Sequence, residues 1–335
     1  MRLALNSSLP GFFGKLPSPV FRRIFVSLGL AVFAVLLQHT AMAQTQTNLQ
    51  SEFAAALEDI RKDHNLVGIG GGIYQGGEII ALSTSGERRL GNGQAPSPDD
   101  LWHIGSVTKS VTATMIARLV EDGQLEWDMS PADVFKNADI DPGWKDVNLT
   151  HLLTHTAGAK PNFPISTQFI HPETEGEMMA ERLKAVTKAL STPPKSNPGE
   201  AFTYSNVGFT VAGVMAEHVT GKPWETRIRE QVAEPLNLTG LGFGAPQPSK
   251  DTPQPWGHRK SFFRKKAVDP TGFADNSPIM GPAGTIHMSL TDMLKYGEAH
   301  NKGHQGHSKY LNKETFDRLH TAALDEYGYG WVVPE

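Results

Sequence analysis

Cysteine is absent from the 335 residues. That excludes a disulfide framework, a thiolate metal site, an iron–sulfur cluster, a thiol nucleophile and a lipoprotein anchor. A surplus of one charge is missing too. Against 31 Lys+Arg stand 35 Asp+Glu, so the total gives no support to the basic face of a nucleic-acid binder. No internal repeat or low-complexity tract is visible, and no Gly-x-Ser-x-Gly elbow occurs, which removes the ordinary α/β-hydrolase reading. The length allows one large domain or two ordinary ones with a substantial core. What remains is an enzyme or a binding protein.

Residues 1–43 carry Arg2, Lys15, Arg22 and Arg23 and no acid, then an apolar run from Ile24 to Leu37, then Ala41-Met42-Ala43. A positive flank, a short apolar core and a small-x-small exit are the parts of a secretory signal. The run falls short of the ~20 residues that span a bilayer. The expectation is a cleaved signal over 1–43, no stable membrane anchor afterwards, and delivery to a bacterial periplasm, where a chain without cysteine is at ease. An uncleaved anchor is the alternative.

The patterning predicts a helix from Gln50 to His64, with Phe53, Leu57 and Ile60 on one side. A hairpin follows: Leu66–Tyr74, a Gln75-Gly76-Gly77 turn, and Glu78–Leu82. From Val107 to about Asp122 an apolar stripe (Val107, Val111, Ile116, Leu119, Val120) reads as a long helix ended by Gly123. Further helices are expected from Asn206 to Val219, after Pro223, from Ser289, and after Asn312 as a cap. Gly240–Pro278, rich in Gly and Pro, reads as a long surface connection, and the basic patch from Lys260 to Lys266 as a solvated loop within it. Tyr327–Val333 reads as a strand that begins and stops. Strands at both ends with helices between them predict an α/β fold. Its largely antiparallel sheet would be built from both chain ends (44–105 and 245–335) with flanking helices, and a mostly helical domain (106–244) would be inserted.

The chemistry concentrates at Gly105-Ser106-Val107-Thr108-Lys109, where a loop becomes the long helix. A serine at a helix start lies near free N–H groups and the positive end of the dipole, which favours charge developing on an attacked carbonyl. Three residues on, Lys109 returns to the same face. An amine held among apolar neighbours loses its proton more readily and can then activate the serine. The plainer reading makes Ser106 a cap and Lys109 a solvated side chain. Tyr204-Ser205-Asn206 follows a Pro-rich loop: a tyrosine can relay a proton, and an asparagine can hold a substrate amide and the lysine amine. An ordinary helix entry would read the same way. Tyr310-Leu311-Asn312 matches the triplet too, with Asn312 explained by capping.

Ser-x-x-Lys with a downstream Tyr-x-Asn resembles the serine β-lactamase and penicillin-binding-protein superfamily. The Tyr version is similar to class C β-lactamases, D-alanyl-D-alanine carboxypeptidases and related esterases. Trp102–Ser110, Leu149–Gly158, Pro198–Asn206, Glu234-Pro235-Leu236 and Gly281–Thr285 resemble family stretches in the expected order. The resemblance implies a sheet domain and a helical domain with the site between them. It also implies an acyl-enzyme on Ser106 assisted by Lys109 and Tyr204, with Asn206 as anchor and the Ser106 N–H as oxyanion donor. No cofactor or metal is needed, and the partner is a small-molecule or peptide substrate with an amide, ester or β-lactam carbonyl. The oligomeric state is not legible.

One part of the pattern breaks. The family's third motif, Lys/His-x-Gly on a strand facing the nucleophile, has no Lys-Ser-Gly or Lys-Thr-Gly counterpart here. His304-Gln305-Gly306 fits in letters but reads as a loop. The simplest expectation is a shortened chain lacking the last strands and terminal helix. A non-catalytic remnant that binds peptide-like ligands then becomes the alternative function. Two other patterns are set aside. His151 and His155 share helical spacing but lack the glutamate and third ligand of a zinc site. Gly240–Ala245 imitates a dinucleotide fingerprint with prolines where a helix should start. Trp256, Phe262 and Phe263 either line the cleft or pack the connection.

Overall fold

The computed structural model describes residues 46–246, 253–261, 264–271 and 275–334. The signal expected over 1–43 lies outside them, as do Phe262 and Phe263. Among the described residues, no helix is long and apolar enough to cross a membrane.

A helix ending at residue 63 leads into β1 (Gly68–Gln75) and β2 (Glu78–Gly86). The two strands pair antiparallel from Gly68↔Gly86 to Gln75↔Glu78, with an irregularity between Ile73 and Tyr74. The glycines of β1 serve close packing. A Cβ at Gly70 would lie 2.7 Å from Leu290 Cδ1, and one at Gly72 2.6 Å from Leu294 Cδ1. The Leu290–His304 helix therefore rests on bare backbone. The remaining strands are β3 (Leu101–His103), β4 (Gly242–Phe243), β5 (Gly257–Ser261), β6 (Arg264–Val268) and β7 (Ile286–Ser289). They form a three-stranded sheet in the order β3-β7-β4 and a separate β5–β6 hairpin, every pairing antiparallel. The α/β class with antiparallel sheets is as expected.

The Thr108–Glu121 helix runs through the core. Val111, Ala113, Met115, Ile116, Ala117 and Leu119 are all fully buried. Beside it runs Asn206–Thr220, capped by Ser205 at its start and by left-handed Gly221 at its end. Glu175–Leu190 starts with a reciprocal Thr174–Glu177 cap. Its buried Arg182 ties three helices and a turn together. The guanidinium bonds Glu217, Glu225 at 2.7 Å and the Pro278 carbonyl at 2.8 Å.

Three expectations are corrected, and a fourth in part. Gly240–Pro278 is not merely a connection: it contains β4 and the β5–β6 hairpin, and the basic patch is that hairpin. The segment around His304 is not a loop, because the Leu290–His304 helix continues to it. Tyr327–Val333 forms no strand but a tight turn with isolated bridges Leu324↔Tyr327 and Tyr327↔Val332. Asn312 does stand at the N-cap position of the Lys313–Leu319 helix, but its side chain makes no cap bond.

Candidate active site

Ser106 lies in a short 3-10 turn, Gly105–Val107, that feeds the Thr108–Glu121 helix. The turn is held from behind. Ile104 N–H donates to Ile286 O at 3.0 Å, and Gly105 N–H donates to His103 Nδ1 at 3.1 Å. His103 Nε2 lies 2.9 Å from Asp275. Ser106 is exposed, whereas Lys109, one turn on, is fully buried.

The Lys109 amine meets three oxygens: Asn206 Oδ1 at 2.8 Å, Ala283 O at 2.7 Å and Ser106 Oγ at 3.2 Å. None belongs to a carboxylate. Burial therefore goes uncompensated and lowers the amine from its usual value near 10.5 to about 7. A neutral amine has two N–H donors and one lone pair. With the donors on Asn206 and Ala283, the lone pair is left for the Ser106 hydroxyl.

Tyr204 and Asn206 reach this point because residues 203–206 are clipped onto 155–162. Thr203 N–H donates to His155 O at 2.8 Å and Asn206 N–H to Pro161 O at 2.8 Å. Ser205 Oγ donates to Lys160 O at 2.6 Å. Burial raises the Tyr204 phenol above its ordinary value, and the neighbouring Ser106 side chain works against that rise. The four expected residues thus come together. Ser106, Asn206 and the Tyr204 ring all meet Lys109.

Two participants escaped the sequence. Asn162 Oδ1 accepts from Asn206 Nδ2 at 2.6 Å, and that bond turns Asn206 Oδ1 toward the lysine. Ala283 contributes only a carbonyl, for which no side-chain pattern exists. His155 takes a structural part. It has left-handed backbone (φ 61°), its Nδ1 accepts Ser205 N–H at 3.1 Å, and its ring lies 4.4 Å from Tyr204 and 4.7 Å from Tyr327. Burial keeps it neutral, with a pKa of about 3. His151 Nδ1 accepts Asn148 N–H in a helix cap. Both imidazoles are thus committed to backbone. Among the described residues, no group of three or more His, Asp or Glu is placed to hold a metal.

Of the three Lys/His-x-Gly matches in letters, His103-Ile104-Gly105 begins at the end of β3 and leads into the Ser106 turn. His304-Gln305-Gly306 straddles a helix end, and Lys295-Tyr296-Gly297, which also fits Lys-x-Gly in letters, lies inside the same helix.

A buried lysine one turn from an exposed serine, on a helix of an antiparallel α/β frame, marks a class. The chain belongs to the Beta-lactamase family, whose model matches residues 53–335. It is 29% identical to penicillin-binding protein 4 of Amycolatopsis lactamdurans over 53% of this chain and 45% of that protein. With the D-alanyl-D-alanine-carboxypeptidase/endopeptidase AmpH of Escherichia coli K12 it shares 23% identity over 84% of this chain and 69% of the relative. The octameric penicillin-binding protein homologue from Pyrococcus abyssi has the same fold. Its TM-score is 0.66 at 23% identity, over 84% of this chain and 64% of that one. The match thus spans less than half of the Amycolatopsis protein and under two thirds of the Pyrococcus chain.

Proposed function

We propose that the protein is an exported serine hydrolase that opens an amide, ester or β-lactam carbonyl through an acyl-enzyme on Ser106. The observation that carries this reading is the contact between Lys109 Nζ and Ser106 Oγ, by an amine with no carboxylate partner among the described residues. Neutral Lys109 takes the hydroxyl proton as Oγ bonds the carbonyl carbon, with the Ser106 N–H facing the developing oxyanion. As the tetrahedral intermediate collapses, the bond to the leaving group breaks. The proton passes to that group from Lys109 by way of the Tyr204 hydroxyl. Water then adds to the acyl carbonyl and releases Ser106. Asn206 holds the lysine and a substrate amide. The sheet parts (44–105 and 245–335) and the helical part (106–244) are taken as the two walls of the site, and the periplasm as its place of work. Relatives named as a carboxypeptidase/endopeptidase and as an esterase (EstB of Burkholderia gladioli) support a carbonyl substrate.

A second reading, ligand binding without turnover, is favoured by one observation. Neither Lys295-Tyr296-Gly297 nor His304-Gln305-Gly306 lies on a strand, and His103-Ile104-Gly105, which starts at the end of β3, runs straight into the Ser106 turn, so the second oxyanion donor is unassigned. Losing one such donor costs about 10²–10³ in rate. The test is incubation with a p-nitrophenyl ester and with a fluorescent penicillin, read by release of chromophore and by intact mass. An adduct on Ser106 that vanishes in Ser106→Ala is expected. Turnover that survives Ser106→Ala overturns the mechanism, and a folded wild-type protein that never labels supports binding alone.

A further inference from the structure

The β5–β6 hairpin is built against its own electrostatics. Its register sets Lys260 opposite Lys265 and Arg259 opposite Lys266. Directly opposed like charges weaken a strand pair, and a two-stranded ribbon has little else to offset the loss. None of these four, nor Arg264, forms an ion pair with a carboxylate among the described residues. The chain as a whole carries a net charge of −4, so this cluster is a local exception.

The hairpin is also anchored in place. Trp256 N–H donates to Arg88 O at 2.8 Å, and Leu90 N–H donates to His258 Nε2 at 3.1 Å. Arg89 lies over the Trp256 ring at 4.8 Å. Between the hairpin and residues 64–68 runs a groove of about 790 Å³, into which Arg259, Lys260, Arg264 and Lys265 contribute. Its lining includes one acid, Glu87, whose carboxylate is turned to the Gly91 N–H at 2.6 Å. Arg88, also in the lining, is neutralised by Asp100. Trp102 completes the wall.

We infer that this groove binds an extended polyanion, a strand of phosphate-bearing polymer that neutralises the hairpin. Four unpaired cations beside one another suit a ligand with repeated negative charges rather than a single carboxylate. The concave shape admits a strand and keeps out a flat bilayer. The inference is independent of the hydrolytic reading, because it uses none of the residues around Lys109.

The test uses the whole protein and inorganic polyphosphate as probe, with phosphatidylglycerol vesicles as a second arm, titrated at several salt concentrations. Wild type is expected to bind polyphosphate with an affinity that falls steeply with salt. The triple variant Arg259→Gln, Lys260→Gln, Lys265→Gln is expected to bind at least about tenfold more weakly and with a shallower salt slope. Its melting temperature should be equal or higher, since the opposed charges are gone, and its turnover unchanged. Equal affinity in wild type and triple variant overturns the inference. So does binding to the vesicles with none to polyphosphate, which would make the hairpin a membrane-facing surface instead.

Discussion

The Lys109 amine sits over the face of the Tyr204 ring, 4.7 Å from its centroid. A ring face attracts a cation, yet burial works the other way, and the amine ends near neutrality. The phenol thus has two separable parts, a face that seats the amine and a hydroxyl on the side of Ser106.

Tyr204→Phe separates them. The ring and its seat for Lys109 persist, while the hydroxyl is lost. We expect kcat to fall by about 10²–10⁴ with little change in KM, the usual size of a lost proton relay. Steady-state ester hydrolysis measures it, and unchanged turnover would remove Tyr204 from the proton path.

Activity should rise with pH through about 7 as Lys109 gives up its proton, because only the neutral amine can act as base. The sign for stability is the same. The unfolded chain holds this proton up to about pH 10.5 and the native state does not, so stability increases between about 7 and 10.5. A kcat/KM profile that is flat from pH 6 to 8 would contradict the assignment of Lys109 as the base.

Acid should weaken the fold early. His155 and His300 are buried, and each is lowered to about 3 by burial. The unfolded chain takes up protons below about 6.5 that the native state refuses, so stability is lost as pH falls toward 3. Over the first unit below 6.5 each histidine contributes roughly 1 kcal/mol of loss. Urea midpoints measured at pH 6.5 and 5.5 test this; identical midpoints would refute it.

Arg182→Ala leaves Glu217 and Glu225 without their cation in a buried place. Breaking such a pair costs about 3–5 kcal/mol. Chemical denaturation should show it, and Arg182→Met paired with Glu217→Gln should recover part of the loss. A midpoint unchanged in Arg182→Ala would show the cluster to be dispensable.

Gly330 has φ 88°, and a Cβ there would come 2.4 Å from Ser110 N and 2.7 Å from the Lys109 carbonyl carbon. Gly330→Ala must push the turn away from the helix that bears Lys109, at about 1–3 kcal/mol for the forced fit. We expect a lower melting temperature together with slower turnover. Wild-type behaviour in both would mean that the turn relaxes freely.

The sequence made Ser106 and Lys109 legible because helical spacing alone brings i and i+3 to one face. Side-chain chemistry made Tyr204 and Asn206 candidates, but an ordinary helix entry reads the same way, and the family likeness tipped the balance. Asn162 and Ala283 were hidden for a physical reason: an exposed loop amide and a backbone carbonyl gain their places from tertiary clips that leave no periodic trace. The β5–β6 hairpin was hidden because charged residues line its strands, so the alternation that betrays a half-buried strand never develops. The polar run around His304 read as a loop, yet a Cβ at Gly303 would lie 2.1 Å from the Phe316 ring. The bareness of Gly303 admits that ring and lets the helix run on to His304. In Tyr327–Trp331 the reverse happened. Alternating aromatics imitate a strand, but the Gly330 N–H donates to Gly328 O at 2.9 Å and folds the segment into a turn.

That small turn touches the site twice. Tyr327 stands behind the His155 ring that backs Tyr204, and Gly330 leans on the peptide of Lys109. A single proteolytic cut just ahead of Tyr327 would therefore strip an aromatic wall and a mechanical brace in one event.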